Sequence, residues 1–183
     1  NSHFATKFVD DDGECLDLAN KKNITAYIAP PAGQMPRALG LAFASKLFRN
    51  EKTFQQFTNL SNNGNEICFC TIGDASTSEG HFWETMNAAG VLQVPLAVFV
   101  WDDGYGISVP KKYQTTKESI SKALKGCQKE ENTNGINIYK LKGWDYAGMC
   151  EVLENAITQM RETHIPALFH VEEITQPQGH STS

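Results

Sequence analysis

Apolar residues fall into two short continuous runs that are separated by a helical pattern. The first run, residues 67–72, ends at Gly73-Asp74. It hardly alternates and turn signals bound it, so it predicts a strand that is buried on both faces. Apolar residues at helical spacing follow from about Ser78, and a second apolar run covers Leu96–Trp101. Strand, helix and strand in this order predict a parallel βαβ unit.

Further elements are predicted on both sides of this unit. An extended segment, residues 27–33, leads into a mostly apolar helix with Pro36 in its first turn. Later segments predict a helix over 116–124, a strand over 136–141, an amphipathic helix over 146–163 and a strand over 167–174. This alternation predicts an α/β fold, an open and mainly parallel sheet with helices on both faces. We expect one domain over residues 1–183, cut from a longer protein.

Composition and charge narrow the class of protein. The chain of 183 residues is 40% hydrophobic and 20% charged, which is typical of an ordinary globular domain. Its formal net charge of -5 argues against a nucleic-acid partner. No apolar span reaches about 20 residues, so we expect no membrane contact and a cytoplasmic protein. The cysteines form no CxxC pair and are expected to be buried free thiols: Cys15, Cys68, Cys70, Cys127 and Cys150.

Acidic residues follow both strands of the βαβ unit. Asp74 comes after the first strand and Asp103, 29 positions later, after the second. The carboxyl ends of parallel strands form the ligand crevice of an open sheet. If the strands are neighbours, their ends lie roughly 5 Å apart. Two carboxylates at that distance favour a bound cation, and oxygen ligands of this kind suit Mg²⁺ with substrate phosphates.

The segment between Asp74 and the helix favours a phosphate. Residues 75–78 are small and offer backbone N–H groups just before a helix begins. Together with the two acids they predict a Mg²⁺–diphosphate site. Each feature alone is also an ordinary turn, and a Mg²⁺-dependent phosphatase-like hydrolase or a nucleotide binder remains open. No GxGxxG or GxxxxGK[ST] motif supports the nucleotide binder.

The same residues resemble a known family. Gly73-Asp74 followed by Asp103 is similar to the thiamine diphosphate signature, Gly-Asp-Gly and then asparagine. Over residues 29–183 the chain resembles the alpha subunit of the dehydrogenase component of 2-oxo acid dehydrogenase complexes. The motifs that carry this resemblance are Gln34-Met35-Pro36, Glu79-Gly80 with Glu84 and Asn87, Gly104-Tyr105-Gly106-Ile107-Ser108, and Gly179-His180-Ser181-Thr182-Ser183.

The resemblance implies an oxidoreductase that uses thiamine diphosphate and Mg²⁺. It would decarboxylate a 2-oxo acid oxidatively, a branched-chain acid rather than pyruvate, and pass the acyl group to a lipoyl group. This chain would supply the Mg²⁺–diphosphate half of the site and be inactive alone. Implied partners are a beta-type, pyrimidine-binding subunit or domain in an alpha2beta2-like assembly, and the lipoyl domain of the acyltransferase component.

The resemblance also implies roles for individual residues. The metal would be held by the carboxylates of Asp74 and Asp103 and by the backbone carbonyl of Tyr105. His180 would be catalytic, at the mouth of the active site and near the cofactor. The other implied cofactor-binding residues are Gly73, Ala75 and Ser76 around the diphosphate, and Ala29, Pro31 and Ile107 around the rest of the molecule.

Three of the implied cofactor-binding residues depart from the family pattern, and Gln176 and Gln178 stand where arginines are common. Ala75 replaces the second glycine of Gly-Asp-Gly, Asp103 replaces asparagine, and Pro31 replaces a larger aliphatic residue. The methyl group of Ala75 would lie where the backbone approaches the phosphate, and the extra negative charge of Asp103 would either weaken cofactor binding or make it strictly metal-dependent. The alternative prediction is therefore a non-catalytic scaffold domain of the same fold with weakened cofactor binding.

Overall fold

The computed structural model describes residues 5–175, and its centre is a parallel sheet. The four strands of this sheet have the order β1-β2-β6-β5. Every neighbouring pair in it is parallel. A separate two-stranded antiparallel hairpin follows β2. The strands are β1 Cys68–Gly73, β2 Leu96–Trp101, β3 Tyr105–Gly106, β4 Val109–Pro110, β5 Asn137–Lys142 and β6 Ala167–Glu172.

Helices cover both faces of the sheet. The helices are α1 Gln34–Asn50, α2 Gly80–Leu92, α3 Ile120–Ala123 and α4 Tyr146–Thr163. Short 3₁₀ turns occur at Ala75–Ser78, Lys111–Tyr113, Thr116–Glu118 and Lys125–Cys127. Residues of α1, α2 and α3 form one core with the sheet, and residues of α4 form a second core on the opposite face. The predicted α/β class is therefore confirmed.

The central strand β2 shows why the chain folds into two layers around this sheet. Leu96, Val98 and Val100 belong to the core of α1 and α2, whereas Ala97 and Phe99 belong to the core of α4. A strand with both faces buried reads as a continuous apolar run, as this one does. On the α4 face a row of aromatic rings stacks across the sheet: Phe69, Phe99, Phe169 and Tyr139.

The first strand differs from its prediction because it lies at an edge of the sheet. Cys70 and Ile72 are buried against the core of α1 and α2, but Phe69 on the other face is 54% exposed. The prediction of burial on both faces is thus wrong for β1. In a short strand, an apolar run does not distinguish a central position from an edge position.

Two other element boundaries also differ. The predicted helix over 116–124 is a 3₁₀ turn followed by the single turn of α3. Lys117 and Glu118 adopt φ values of 61° and 51°, and such left-handed conformations interrupt a helix. The last strand ends at Glu172 rather than at 174, because Glu173 has a φ of 59°.

Two findings concern the chain as far as it is described. All five cysteines are free thiols, as predicted, but the expected burial is correct only for Cys70, because Cys15 and Cys150 are exposed and the other two are half-buried. Among residues 5–175, no helix has both the length and the apolar character needed to cross a membrane.

Candidate functional site

The first acid of the site lies where β1 ends. Because β1 and β2 are neighbours, Gly73 lies opposite Trp101. The Asp74 N–H donates to the Trp101 carbonyl at 3.1 Å. The ends of β1 and β2 therefore meet at one edge of the sheet, as the sequence predicted, and Asp102 and Asp103 continue from the same edge.

The carboxylate of Asp74 is buried and incompletely bonded. The residue is 4% exposed, and within residues 5–175 its Oδ2 has no hydrogen-bond partner. Burial raises the pKa of this carboxyl from 3.8 to about 6, and the charges of Asp102 and Asp103 add to the increase. The backbone N–H of Ala75 and the ammonium of Lys111 oppose it. A bound cation would satisfy this oxygen, so Asp74 fits a divalent metal ion.

Asp102, which the sequence analysis did not single out, is fully bonded within the protein. Its Oδ2 accepts from Lys111 Nζ and from His170 Nε2, both at 2.9 Å. Its Oδ1 accepts from Lys111 Nζ at 3.1 Å and from the Gly104 N–H at 3.0 Å. Burial alone would raise the pKa of Asp102, but the hydrogen bonds from His170 and Lys111 outweigh burial and lower it to about 2. Both oxygens of Asp102 thus bond other residues of the protein, and the side chain anchors the loop between Gly104 and Lys111.

Asp103 remains the acid that is available to a ligand. It is partly exposed, and its Oδ1 accepts from the Tyr105 N–H at 3.1 Å. This bond turns the chain back on itself directly after β2, which is the usual work of an aspartate in a turn. The role of Asp103 as a metal ligand stays a prediction.

The hairpin of β3 and β4 contacts the turn after Asp74. A Cβ atom placed on Gly106 would lie 2.6 Å from the Ala75 Cβ, so only glycine fits there. The methyl group of Ala75, the residue that replaces the family's glycine, therefore packs against Gly106. Ile107 has a φ of 57°, a strained conformation for a β-branched residue, and strain of this kind clusters at functional sites.

Four of the predicted cofactor-binding residues line one cleft. Ala29, Pro31, Gly73 and Ser76 border a space of about 340 Å³, together with Tyr27, Ile28, Gln34, Thr71 and Trp101 among other residues. Gln34 Nε2 donates to the Thr71 carbonyl at 2.8 Å and so fixes the start of α1 beside β1. The structure thus brings residues from the extended segment and from the end of β1 together, although they are far apart in sequence.

The turn at residues 75–78 is 3₁₀, and α2 begins only at Gly80. The prediction that a helix starts near Ser78 is correct to within two residues. Ala75 and Ser76 lie in the 3₁₀ turn directly after Asp74. His180, the predicted catalytic residue, lies outside the described residues, and its role stays a prediction.

Comparison with known proteins identifies the family. The model of the dehydrogenase E1 component family matches residues 7–183. The chain belongs to this family. Among curated proteins it is 26% identical over 150 residues to the alpha subunit of the pyruvate dehydrogenase E1 component of Rickettsia bellii. That match covers 82% of this chain and 39% of the relative.

Alpha subunits of another specificity match equally well. The identity is 26% over 166 residues to 2-oxoisovalerate dehydrogenase subunit alpha 2 of Arabidopsis thaliana, covering 90% of this chain and 30% of the relative. The mouse 2-oxoisovalerate dehydrogenase subunit alpha is 25% identical over 163 residues, covering 89% and 32%. The chain thus spans well under half the length of these relatives. The predicted family, an E1 alpha-type component of a 2-oxo acid dehydrogenase, is confirmed.

Proposed function

We propose that this chain supplies the Mg²⁺–diphosphate half of a thiamine diphosphate site in a 2-oxo acid dehydrogenase. The enzyme would decarboxylate its substrate oxidatively and transfer the acyl group to a lipoyl group. The family depends on thiamine diphosphate. The observation that supports the metal is the buried Asp74 carboxylate, whose Oδ2 has no partner in the described part of the chain.

Each predicted residue has a role in this proposal. Asp74, Asp103 and the Tyr105 carbonyl would hold Mg²⁺, a cation that prefers oxygen ligands and retains phosphate oxygens and water. Ala75 and Ser76 would offer N–H groups to the diphosphate, and Gly73 lets the chain approach it closely. Ala29, Pro31 and Ile107 would border the thiazolium and pyrimidine rings.

The protein's task is to bind and orient the cofactor. Thiamine diphosphate, when bound, supplies the electron sink for decarboxylation, and the chain around it supplies geometry and electrostatics. Here the residues of the cleft beside Trp101 would bind the organic part, and the acids at the ends of β1 and β2 would hold the metal. His180 would act at the mouth of the site.

The proposal includes partners that complete the site. A beta-type, pyrimidine-binding subunit or domain would supply the other half in an alpha2beta2-like assembly, and the lipoyl domain of the acyltransferase component would take the acyl group. A cytoplasmic location stays a prediction.

A branched-chain 2-oxo acid is the proposed substrate. This preference rests on the amino-acid sequence of two short motifs, Ser78-Glu79-Gly80 and His180-Ser181-Thr182-Ser183. Because pyruvate and 2-oxoisovalerate relatives match at nearly the same identity, a substrate assay is the direct test. The full-length protein with its beta-type partner should turn over 2-oxoisovalerate faster than pyruvate at saturating cofactor, and the reverse order would reject the preference.

Calorimetry tests the site itself. The full-length protein with its partner should bind thiamine diphosphate only when Mg²⁺ is present, and Asp74→Ala should abolish this binding. Asp11→Ala is the control, because the Asp11 side chain is 97% exposed and pairs only with Lys7 at the surface. If the wild type shows no metal-dependent binding at millimolar cofactor, the non-catalytic scaffold is the correct description.

A further inference from the structure

A largely buried polar cluster adjoins residues 103–105, the segment that carries two of the predicted metal ligands, and lies outside the residues assigned to the cofactor. It consists of Asp102, Lys111, Ser121 and His170, and we name it the Asp102 cluster. His170 lies in β6 between Phe169 and Val171, and like them it has no exposed surface. A polar ring in such a position needs hydrogen-bond partners on both nitrogens.

Both nitrogens of the His170 ring have partners. Nε2 lies 2.9 Å from Asp102 Oδ2, and because an ionised carboxylate can only accept, Nε2 carries the proton and donates. On the other side of the ring, Nδ1 lies 3.0 Å from Ser121 Oγ in α3. The imidazole therefore links the end of β2 to α3 and holds Asp102 in one orientation.

Asp102 in turn fixes the loop that carries the predicted metal ligands. Its own N–H donates to the Val171 carbonyl at 2.9 Å, and its side chain bonds Lys111 at the far end of the loop. The Lys111 N–H also donates to the Gly104 carbonyl at 2.9 Å. Asp103 and Tyr105 lie between these two anchors, so their positions depend on Asp102.

The presence of a histidine at this position needs an explanation beyond packing. Phe169 and Val171 point to the opposite face of β6, and the His170 ring instead meets Asp102, Ser121 and, 3.6 Å from its Nδ1, Glu172 Oε1. Without such partners a buried polar ring would cost roughly 1–3 kcal/mol. Lys111 and the Gly104 N–H, both from the loop, bond the oxygens of Asp102, and His170 adds a donor from the rigid sheet that fixes the direction of Oδ2. Residues that orient metal ligands from a distance in this way commonly control metal affinity.

We propose that His170 is a positioning residue for the metal site. Through Asp102 it holds the Asp103–Tyr105 loop in the conformation that binds the cation, and Ser121 fixes the orientation of the ring. This inference rests on the proposed Mg²⁺–thiamine diphosphate site. His170 itself would contact neither the metal nor the cofactor.

The test compares two substitutions at His170 with one at another buried histidine. His170→Leu removes both hydrogen bonds and keeps much of the volume, whereas His170→Gln keeps a donor near the position of Nε2. His164→Asn is the matched control: His164 is 6% exposed, bonds the Gly64 carbonyl at 3.0 Å, and caps α4 with a φ of 57°, which asparagine tolerates. The variants are made in the full-length protein with its partner.

The readouts are the apparent Kd of Mg²⁺ at fixed thiamine diphosphate, measured by calorimetry, and the Tm without ligand. His170→Leu should raise the Kd about tenfold or more, the range seen for residues that orient metal ligands. His170→Gln should restore most of the affinity. His164→Asn should lower the Tm comparably but leave the Kd unchanged, because a purely structural defect does not change the affinity of the folded protein.

The outcomes separate this inference from the proposed function. If the wild type binds and His170→Leu binds with the same Kd, the positioning role is wrong while the cofactor site stands. If the wild type does not bind Mg²⁺ and thiamine diphosphate, both are wrong. Should His170→Leu fail to fold, Ser121→Ala tests the positioning role instead. Loss of the hydrogen bond at Nδ1 should raise the Kd by a smaller factor, and an unchanged Kd would reject the role.

Discussion

Replacing Asp74 by asparagine should stabilise the metal-free protein while it abolishes cation binding. Burial and the nearby acids raise the pKa of Asp74 from 3.8 to about 6. At neutral pH the ionised carboxylate therefore costs the folded state about 3 kcal/mol, at 1.36 kcal/mol per pKa unit. The amide removes this cost but places an NH₂ group where Oδ2 has no partner in the described structure, which costs roughly 1–2 kcal/mol. The net gain should be about 1–2 kcal/mol.

The pH dependence gives this prediction its sign. An aspartate with a raised pKa takes up its proton in the folded state first, so its destabilising effect is absent below about pH 4 and complete above about pH 6. Stability of the wild type should therefore fall as the pH rises through this window, and that of Asp74→Asn should not show this fall. The advantage of the variant should shrink by about 1 kcal/mol between pH 7.5 and pH 5.

Urea denaturation of the full-length protein in EDTA measures both effects. Asp11→Asn serves as the control, because the Asp11 side chain is 97% exposed and its replacement should change stability little. Added Mg²⁺ should stabilise the wild type but not Asp74→Asn, since ligands stabilise only the state that binds them. An Asp74→Asn protein less stable than the wild type in EDTA at pH 7.5, or an advantage independent of pH, would refute the reasoning.

Three further predictions concern the loop after β2. Asp103→Asn, which restores the family's residue, should tighten thiamine diphosphate binding and weaken Mg²⁺ binding without cofactor, because it removes one negative charge; calorimetry with each ligand alone and together checks both changes. Ile107→Asn should stabilise the protein by up to about 1 kcal/mol in urea denaturation, because asparagine tolerates a φ of 57° better than a β-branched residue and, unlike glycine, adds little freedom to the unfolded chain. Lys111→Met should destabilise the protein by about 1–2 kcal/mol at pH 7. This loss of stability should shrink below about pH 4, because the lowered pKa of Asp102 contributes stability only while Asp102 is ionised. Equal losses at pH 7 and pH 3 would contradict the prediction.

The elements that the sequence predicted best have strong periodicity and clear boundaries. The strand β2 and the helix α4 begin and end where the apolar pattern places them, and Pro95 and Pro166 precede the strands β2 and β6. The prediction of a helix at 116–124 failed because Lys117 and Glu118 adopt positive φ values. Lysine and glutamate favour helices by themselves, so no local signal announces this break.

The sequence predicted the part of the site that lies at the ends of neighbouring strands. It did not predict the contacts between residues that are far apart in the chain. Asp74 and Asp103 follow from the two strand ends, and parallel pairing brings them to one edge. The contact between Asp102 and His170 joins residues 68 positions apart, and nothing local to either residue indicates it. A histidine within an apolar strand was the available signal, since a buried polar ring requires a partner.

The exposed face of β1 has a consequence for handling the protein. In the described residues β1 is one of the two edge strands; its Phe69 is 54% exposed, and Trp101 of the neighbouring β2 is 43% exposed. An outer strand with free backbone groups and an apolar face invites pairing between molecules, and natural proteins usually guard such edges with charge. For the chain produced alone, solubility would then be limited by this strand rather than by the stability of the core, and a lysine in place of Phe69 is the first substitution to try.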